Sequence, residues 1–183
     1  MLLTLSRYRI YGPSHVVSSY NGGKDACVIM NLHRVAHAKY YMDLAHNNEI
    51  LNLPPPVPQS PRVLYFDNPD EFPEIAELLK STVVDFDLHM TSLKGCSFAE
   101  GLDFLLKAGQ EGGKRNNMAF ILGTRKGDPN WNQQEKFSPS SQWMPPFMRV
   151  NPVMDWTYGE RFVFHYFFIY YYFFFWKGRR TRR

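Results

Sequence analysis

Hydrophobic and polar positions in the first part of the chain follow two different patterns. Residues 15–20 form a short apolar run, whereas within residues 24–46 apolar side chains recur at helical spacing, at Val28, Leu32 and Val35. The run predicts a buried strand, and the spaced positions predict a helix with one face turned inward. A strand followed directly by a helix is thus the first unit of the predicted fold.

The same alternation continues to residue 122. Short runs rich in strand-forming residues at 62–67, 88–93 and 118–122 predict three more strands, and helical spacing over 71–86 and from 97 onward predicts two more helices. Strands that alternate with helices form β-α-β units with right-handed crossovers. We therefore predict an α/β fold with a Rossmann-like parallel sheet, in which ligands bind beyond the carboxyl ends of the strands.

Local signals mark the ends of these elements. Pro73 suits a first helical turn, where a missing N–H costs nothing. Ser97 and Glu100 have the spacing of a capping box, which predicts a helix start at that point. The proline-rich segment 47–61 is expected to be a loop, and the Gly-Gly-Lys sequence at 112–114 is expected to end the third helix.

The composition indicates a globular domain, and the distribution of charge gives no reason to expect a nucleic-acid partner. With 183 residues and 44% hydrophobic content, one domain with a sizeable core is expected. The net charge of +4 is local, because five basic residues lie in the last seven positions: Lys177, Arg179, Arg180, Arg182 and Arg183. The rest of the chain has 16 basic and 17 acidic residues, so its charge does not indicate nucleic-acid binding.

Cysteine and histidine residues give no strong metal or redox signal. Cys27 and Cys96 have neither metal-ligand spacing nor a disulfide framework. His33 and His37 share one helix face, but a zinc site needs further ligands and none is nearby in the sequence. The residues before Pro13 are too few and too interrupted by arginines for a secretory signal, so a cytoplasmic location is expected.

The candidate chemistry begins at residues 18–25, Ser-Ser-Tyr-Asn-Gly-Gly-Lys-Asp. Two glycines let the backbone approach a ligand closely, and the helix that follows offers unpaired N–H groups and the positive end of its dipole. Lys24 would add a point charge for a phosphate, and Asp25 would reach a Mg2+ ion carried by a nucleotide. An ordinary strand–turn–helix connection has the same glycines, but the position at the carboxyl end of a parallel strand favours a phosphate site.

This loop resembles the pyrophosphate-loop of enzymes that adenylate or reduce substrates through adenine nucleotides, in the form found in eukaryotic FAD synthases (FMN adenylyltransferases). Two later segments extend the resemblance. Residues 67–74 contain a Phe-Pro-Glu element that looks like the one after the second strand in FAD synthases and sulfate-reductase relatives. Residues 123–129, Gly-Thr-Arg-Lys-Gly-Asp-Pro, are similar to the family's Gly-Thr-Arg-Arg-x-Asp-Pro loop, with Lys126 in place of the second arginine.

The longest similarity lies in residues 137–158. They run Phe-Ser-Pro-Ser-Ser-Gln-Trp-Met-Pro-Pro-Phe-Met-Arg-Val-Asn-Pro-Val-Met-Asp-Trp-Thr-Tyr. The family's block, Phe-Ser-Pro-Thr-Asp-x-x-Trp-Pro-x-Phe-Met-Arg-Ile-Asn-Pro-Leu-Leu-Asp-Trp-Thr-Tyr, is very similar. No helix or strand period fits residues 137–152, so an irregular loop is expected. A rigid aromatic loop suits a flat ligand such as an isoalloxazine ring, although a packed surface loop has the same composition.

The resemblance, over about residues 15–160, implies a domain of the adenine nucleotide alpha hydrolase type. Its implied reaction transfers AMP from ATP to FMN, with Mg2+, and gives FAD and pyrophosphate through in-line positioning and charge neutralisation. The residues implied for catalysis are Asn21, Lys24, Asp25 (also the Mg2+ ligand) and Asp128. Those implied for ATP are Ser19, Tyr20, Asn21, Gly22, Gly23, Lys24, Tyr65, Phe66, Gly123 and Arg125. Those implied for FMN are Asp128, Trp143, Phe147, Arg149, Asn151 and Trp156.

One of these assignments keeps an alternative. The backbone near Tyr65 and Phe66 would contact adenine, but both aromatic side chains are equally consistent with an ordinary core. Arg125 and Arg149 are candidates for phosphate contacts because a guanidinium offers a bidentate fork to an anion.

The resemblance ends after Tyr158. Residues 162–176 hold 12 aromatic side chains in 15 positions, and a basic segment follows. Three interpretations of this run compete. It is shorter than the roughly 20 residues that a membrane span needs, and it lacks the polar face that a core element would have. A pyrimidine-rich intron that is read as coding sequence would encode such a run. Because Tyr and Trp belong at the membrane interface, we favour the third interpretation over an anchor. The expected division is a segment 1–14, a C-terminally incomplete domain 15–160 and an irregular aromatic tail 161–183.

Two other functions compete with FAD synthesis. A sulfonucleotide reductase of the same superfamily needs a redox cysteine near its C-terminus, and no cysteine follows Cys96. A non-catalytic nucleotide- or flavin-binding protein held at a membrane by the tail is the alternative from another class, although membrane contact is not favoured. The leading prediction is an FMN adenylyltransferase whose activity is impaired if a further C-terminal segment is needed.

Overall fold

The computed structural model describes residues 2–108, 117–129, 131 and 134–171. Its strands are β1 (Val16–Ser19), β2 (Arg62–Asp67), β3 (His89–Lys94), β4 (Ala119–Ile121), β5 (Phe137–Pro139) and β6 (Met148–Val150). They form one sheet in the order β3-β2-β1-β4-β6-β5. All neighbouring pairs are parallel except β5 and β6, which pair antiparallel at one edge.

Helices connect and cover the strands. Those in the described part of the chain are α1 (Leu2–Tyr11), α2 (Lys24–Ile50), α3 (Pro73–Phe86), α4 (Phe98–Ala108) and α5 (Tyr158–Tyr171), with a short 3-10 turn at Pro13–His15. Helices α2, α3 and α4 are the crossovers between successive parallel strands from β1 to β4. The predicted α/β class and its parallel sheet are therefore confirmed.

The predicted elements of the first 122 residues agree closely with the observed ones. Strand β2 has its predicted bounds, and β1, β3 and β4 lie within the predicted runs or one residue beyond them. Helix α2 continues four residues past the predicted end at 46, to Ile50. Helix α3 begins at Pro73 rather than at residue 71, and the proline occupies the first turn as predicted.

The capping box at the start of α4 is also confirmed. The Ser97 Oγ accepts a hydrogen bond from the Glu100 N–H at 3.3 Å, and a Glu100 carboxylate oxygen accepts one from the Ser97 N–H at 2.8 Å. These reciprocal bonds satisfy two of the donors that a helix start leaves unpaired. The predicted helix end at residues 112–114 lies outside the described residues.

Two predictions about irregular structure are wrong. Strands β5 and β6 lie inside the segment 137–152, which was expected to have no regular structure. Each is only three residues long, too short for a period of two to be recognised in sequence. Residues 161–171 were expected to belong to an irregular tail, but they continue α5. Residues 172–183 lie outside the described part of the chain.

The N-terminal segment also forms part of the packed structure. No helix or strand was expected in residues 1–14, yet α1 packs against α2. Leu5 is 6% exposed and Tyr8 is 1% exposed, and both lie in the same buried cluster as Val28. The division of the chain at residues 14 and 160 stays a prediction. Within the described ranges, no helix has the length and apolar character required to cross a bilayer.

Candidate functional site

The order in which successive strands are added to the sheet reverses between β1 and β4. From β1 the strands proceed outward through β2 to β3, and β4 then pairs with the other side of β1. In an open α/β sheet such a switch point leaves a crevice at the carboxyl ends of the two strands. Ser19 is the last residue of β1, and the loops 20–23 and 122–129 both begin at this crevice.

The loop after β1 has the backbone geometry of an anion site. Gly22 has φ of +76°, a conformation that residues with a Cβ rarely adopt, and a Cβ there would lie 3.3 Å from Leu78 Cδ2. Gly23 donates its N–H to Asn21 Oδ1 at 3.1 Å, so Asn21 fixes the turn. Gly23 is the N-cap of α2, with no side-chain capping bond. The first-turn N–H groups of α2 are thus available to a bound anion.

Charged side chains surround this helix start. Lys24 Nζ lies 3.6 Å from Asp25 Oδ2, and the Lys24 side chain is 61% exposed. The other carboxylate oxygen, Oδ1, accepts a hydrogen bond from Arg161 Nη1, and the Arg161 side chain is only 4% exposed. Arg161 belongs to the first turn of α5 and therefore brings the last described helix against the glycine loop.

Asp25 does not fit the predicted role of a Mg2+ ligand in this arrangement. One carboxylate oxygen is engaged by a buried guanidinium and the other lies near an ammonium. A hard cation takes oxygen ligands that are free to coordinate it, and these oxygens already face two positive groups. Among the described residues, no group of three or more His, Cys, Asp or Glu side chains could hold a metal ion.

The loop after β4 is organised around Asp128. One oxygen of its carboxylate accepts the Arg125 N–H at 2.8 Å, and the other pairs with Arg125 Nη2 at 2.9 Å. The structure also brings this loop to the glycine loop, because a Cβ on Gly123 would lie 3.6 Å from Asp25 Cβ. The predicted ATP-site residues of the two loops therefore belong to one crevice.

Three of the aromatic side chains predicted near ATP are part of the core. Tyr20 is 1% exposed, its hydroxyl donates to Thr82 Oγ1 at 3.2 Å, and burial raises the pKa of its phenol. Tyr65 is 8% exposed, and the Phe66 ring lies 4.6 Å from that of Phe98. Burial of Tyr65 and the packing of Phe66 favour the alternative of a core role for these two side chains, and the contact of their backbone with adenine stays a prediction.

Two polar residues predicted for FMN are held within the β5–β6 hairpin. Arg149 donates to the carbonyl of Pro139 and to the Ser141 hydroxyl, both at 2.9 Å. Asn151 is fully buried, and its Nδ2 donates to the carbonyl of Glu135 at 2.9 Å. The Asn151 Oδ1 is buried without a hydrogen-bond partner. These side chains hold the antiparallel edge of the sheet together.

The aromatic residues predicted for FMN are in three different environments. Trp143 is 75% exposed. Phe147 is 8% exposed and packs edge-on against Phe120 at 5.0 Å. Trp156 is partly buried and packs against Phe164 of α5 at 5.5 Å. The three rings therefore differ in exposure, and Phe147 and Trp156 have different aromatic neighbours.

An ion-pair cluster joins the loop after β4 to the segment after β6. Asp155 contacts Lys126 Nζ and Lys136 Nζ, both at 2.6 Å. These hydrogen bonds lower the pKa of the Asp155 carboxyl to about 2. The Lys126 N–H also bonds the carbonyl of Met154 at 3.0 Å. Lys126, which departs from the resembled loop, therefore has a structural role in this chain.

A small cavity of about 30 Å³ lies between α2 and α5, beside the glycine loop. It is lined by Lys24, Asp25, Val28, Tyr158, Arg161, Phe162 and His165. Its volume suits a water molecule and is far too small for a nucleotide. The open crevice at the carboxyl ends of β1 and β4, rather than this cavity, is therefore the candidate site.

A protein-family model covers the part of the chain that contains this crevice. The model of the phosphoadenosine phosphosulfate reductase domain matches residues 15–168, most of the chain, from the start of β1 into α5. The chain belongs to this family. The matched range extends past residue 160 and includes the first turns of the helix that sequence analysis assigned to an irregular tail.

Among curated proteins, the phosphoadenosine phosphosulfate reductase domain of this chain is similar to a probable FAD synthase of Schizosaccharomyces pombe. The two are 25% identical over 154 residues, which cover 84% of this chain and 52% of that protein. The chain therefore spans about half the length of the curated relative that it matches.

Solved structures confirm the fold. An FMN adenylyltransferase of Candida glabrata, in complex with FMN and the ATP analogue AMPCPP, matches with a TM-score of 0.69 and 21% identity, over 89% of this chain and 54% of that one. A yeast FAD synthetase in complex with FAD matches with a TM-score of 0.70 and 20% identity, over 89% of this chain and 55% of that one. The predicted pyrophosphate-loop fold is thus confirmed.

Arg161 is the residue at this site that sequence reasoning missed. It was assigned to the tail, because the family resemblance was judged to end before it. A usable signal was present, since Thr157 and Glu160 have capping-box spacing. In the structure Glu160 accepts a hydrogen bond from the Thr157 N–H at 2.7 Å and starts α5 there.

Proposed function

We propose that this chain binds ATP at the glycine loop and transfers AMP to the phosphate of FMN, giving FAD and pyrophosphate. The observation that supports the proposal best is the loop itself: a left-handed glycine, an N-cap without a side chain and Lys24, at the switch point of a parallel sheet. The similarity to an FAD synthase and to FMN adenylyltransferase structures supports the choice of this reaction. Because the chain spans about half of those relatives, its own activity needs a direct test.

The chemistry asks for positioning rather than for an activated side chain. A phosphate monoester such as FMN is largely ionised at neutral pH, so its oxygen is already a nucleophile. It would attack the α-phosphorus of ATP in line, with pyrophosphate as the leaving group. Negative charge then develops on the pyrophosphate, where the N–H groups of the first turn of α2 and the Lys24 ammonium would stabilise it.

The other predicted residues take more limited roles in this proposal. Asn21 orders the glycine turn through its bond to Gly23, and Asp128 holds Arg125 for a phosphate contact. Adenine would lie beside the backbone at the end of β2. Trp143 is the predicted flavin residue with the largest exposed face, which makes it our candidate for stacking on the isoalloxazine ring.

The test is FAD formation by the purified 183-residue chain with ATP, FMN and Mg2+, followed by chromatography. We expect Asn21→Ala and Asp128→Ala to lower the rate about a hundredfold or more, as loss of one positioning group does in active sites. Lys80→Ala, on the exposed face of α3, is the matched control and should leave the rate unchanged. A parallel reaction with EDTA measures the predicted Mg2+ requirement, for which the described part of the chain offers no cluster of metal ligands.

The outcomes separate the functions. FAD formation that survives both site substitutions would remove the assigned residues from the reaction. ATP binding without FAD would favour a nucleotide-binding protein, and absence of ATP binding would overturn the site. Cytoplasmic location and the absence of nucleic-acid partners stay predictions, as does the weaker expectation of membrane contact through the tail.

A further inference from the structure

A buried guanidinium next to the glycine loop is not explained by the family resemblance. The Arg161 side chain is 4% exposed, and it pairs with Asp25, 136 residues away in the sequence. Its Nε is buried without a hydrogen-bond partner. An arginine is seldom buried so completely unless it is paired, because removing its charge from water costs free energy.

The position of Arg161 is fixed by the start of α5. Thr157 and Glu160 form a reciprocal capping box, with the Glu160 carboxylate bonded to the Thr157 N–H and hydroxyl at 2.7 and 2.8 Å. The Tyr158 ring lies 5.7 Å from Arg161 Cζ. This arrangement directs the guanidinium to the first turn of α2 rather than to solvent.

Asp25 therefore interacts with two cations that differ in exposure. Lys24 Nζ lies 3.6 Å from Asp25 Oδ2, and the Lys24 side chain is 61% exposed. The Arg161 side chain, which pairs with Asp25 Oδ1, is buried. Lys24, Asp25 and Arg161 together carry one positive charge. Without Arg161 the sum is zero, and the carboxylate would hold Lys24 as its sole partner among these three.

We propose that Arg161 is a positioning residue of the phosphate loop: by pairing with Asp25 it weakens the attraction of that carboxylate for Lys24, which can then bind an anion. The proposal rests on the proposed function, since it deepens the role of the glycine loop as a phosphate site. It also gives Asp25 a role other than metal binding, namely to fix the start of α5 against α2.

Inorganic pyrophosphate is a suitable probe, because it tests the anion site without FMN or turnover. Binding is measured by calorimetry in buffer without divalent ions. In Arg161→Met the freed carboxylate neutralises Lys24, and we expect pyrophosphate to bind about tenfold more weakly, the effect of one unit charge at short range in a partly exposed site. In the double variant Arg161→Met/Asp25→Asn, affinity should return to within about twofold of wild type, because no carboxylate competes for Lys24.

A purely structural role of the ion pair predicts the opposite order. Both partners are then lost in the double variant, which would bind no better than Arg161→Met and would unfold at a lower temperature. Asp25→Asn alone provides a second measurement if Arg161→Met does not fold. We expect Asp25→Asn to bind pyrophosphate severalfold more tightly than wild type, whereas weaker binding would overturn the proposal.

This design separates the present inference from the proposed function. Wild-type protein that binds pyrophosphate with the predicted order of variants, but makes no FAD, supports the role of Arg161 and refutes FAD synthesis by this chain. Wild-type protein that does not bind pyrophosphate overturns the role of Arg161.

Discussion

The start and the middle of α2 hold polar side chains in opposite environments. At its start, Lys24 and Asp25 lie at the crevice, and Asp25 also pairs with Arg161 of the distant helix α5. In its middle, His33 is fully buried beneath α1, where Tyr8 Oη and Ser18 Oγ (2.9 Å) contact its two ring nitrogens. One helix thus carries an open polar end and a sealed polar middle.

The difference shows what each part of the helix contributes. In the sealed middle, His33 has two hydrogen-bond partners within the described structure, and burial lowers its pKa to about 3. His37, one turn further, is also buried, and burial lowers its pKa too. The neutral His33 imidazole joins α1 to β1, whereas the open start keeps its N–H groups and one ammonium for a ligand. Stability and function should therefore respond to different parts of the helix.

Truncation of the sealed histidine should give the largest stability change. His33→Ala removes a buried ring and leaves the Tyr8 and Ser18 hydroxyls without this partner, so we expect a loss of about 3 kcal/mol in the free energy of unfolding. Met42→Ala, at an exposed position of the same helix, is the control and should change stability by less than about 0.5 kcal/mol. Urea unfolding measures both. A loss below about 1 kcal/mol for His33→Ala would show that the middle is not sealed.

Acid should lower the free energy of unfolding through the same residue, His33. His33 has a folded-state pKa near 3 and an unfolded-state value near 6.5, so between these values the unfolded chain binds the extra proton. The contribution is fully present above pH 6.5 and is lost as the pH falls towards 3. From pH 7 to pH 5 it amounts to about 2 kcal/mol.

The measurement is the difference between wild type and His33→Gln in urea unfolding at pH 7 and pH 5. The variant lacks this titrating group, so its stability should fall less on acidification, by about the stated amount. Equal losses in the two proteins would mean that His33 is charged in the folded state or that its environment is hydrated.

The same contrast separates what the sequence could predict from what it could not. The glycine turn, Lys24 and the parallel strands followed from residue types and spacings that act locally. The sealed middle did not, because the pairing of Tyr8 with His33 depends on α1, which has no marked apolar period. His33 and His37 were considered as a weak metal pair, whereas the structure gives them core roles. Arg161 was missed because its partner, Asp25, lies at the other end of the domain.

The aromatic block shows the limit of resemblance for individual roles. Residues 137–158 match the family's block at most of its specified positions, yet Phe147 lies in the core and Arg149 is bonded within the hairpin. A sequence motif preserves a backbone path together with its ligand contacts, and similarity alone does not distinguish residues that shape the path from those that touch the ligand. Exposure does distinguish them, and it leaves Trp143 as the best candidate for a flavin contact.

The smallest predicted effect concerns the boundary between the open start of α2 and its sealed middle. Cys27 lies in the first turn of α2, a position that ordinarily lowers a thiol pKa. Here burial raises the pKa of the Cys27 thiol instead, and its Sγ lies 3.8 Å from the Tyr20 hydroxyl. Because the thiolate is the reactive form, iodoacetamide should modify Cys27 at least severalfold more slowly than the exposed Cys96.

The rates are measured on Cys96→Ser and Cys27→Ser proteins, each of which has one thiol, and again in urea as a control. Unfolding should make the two rates similar, since it removes the burial that protects Cys27. Fast modification of Cys27 in the folded protein would mean that the whole first turn is open. Slow modification would place the boundary within that turn, because its inward face is sealed while Lys24 on the same turn remains exposed to an anion.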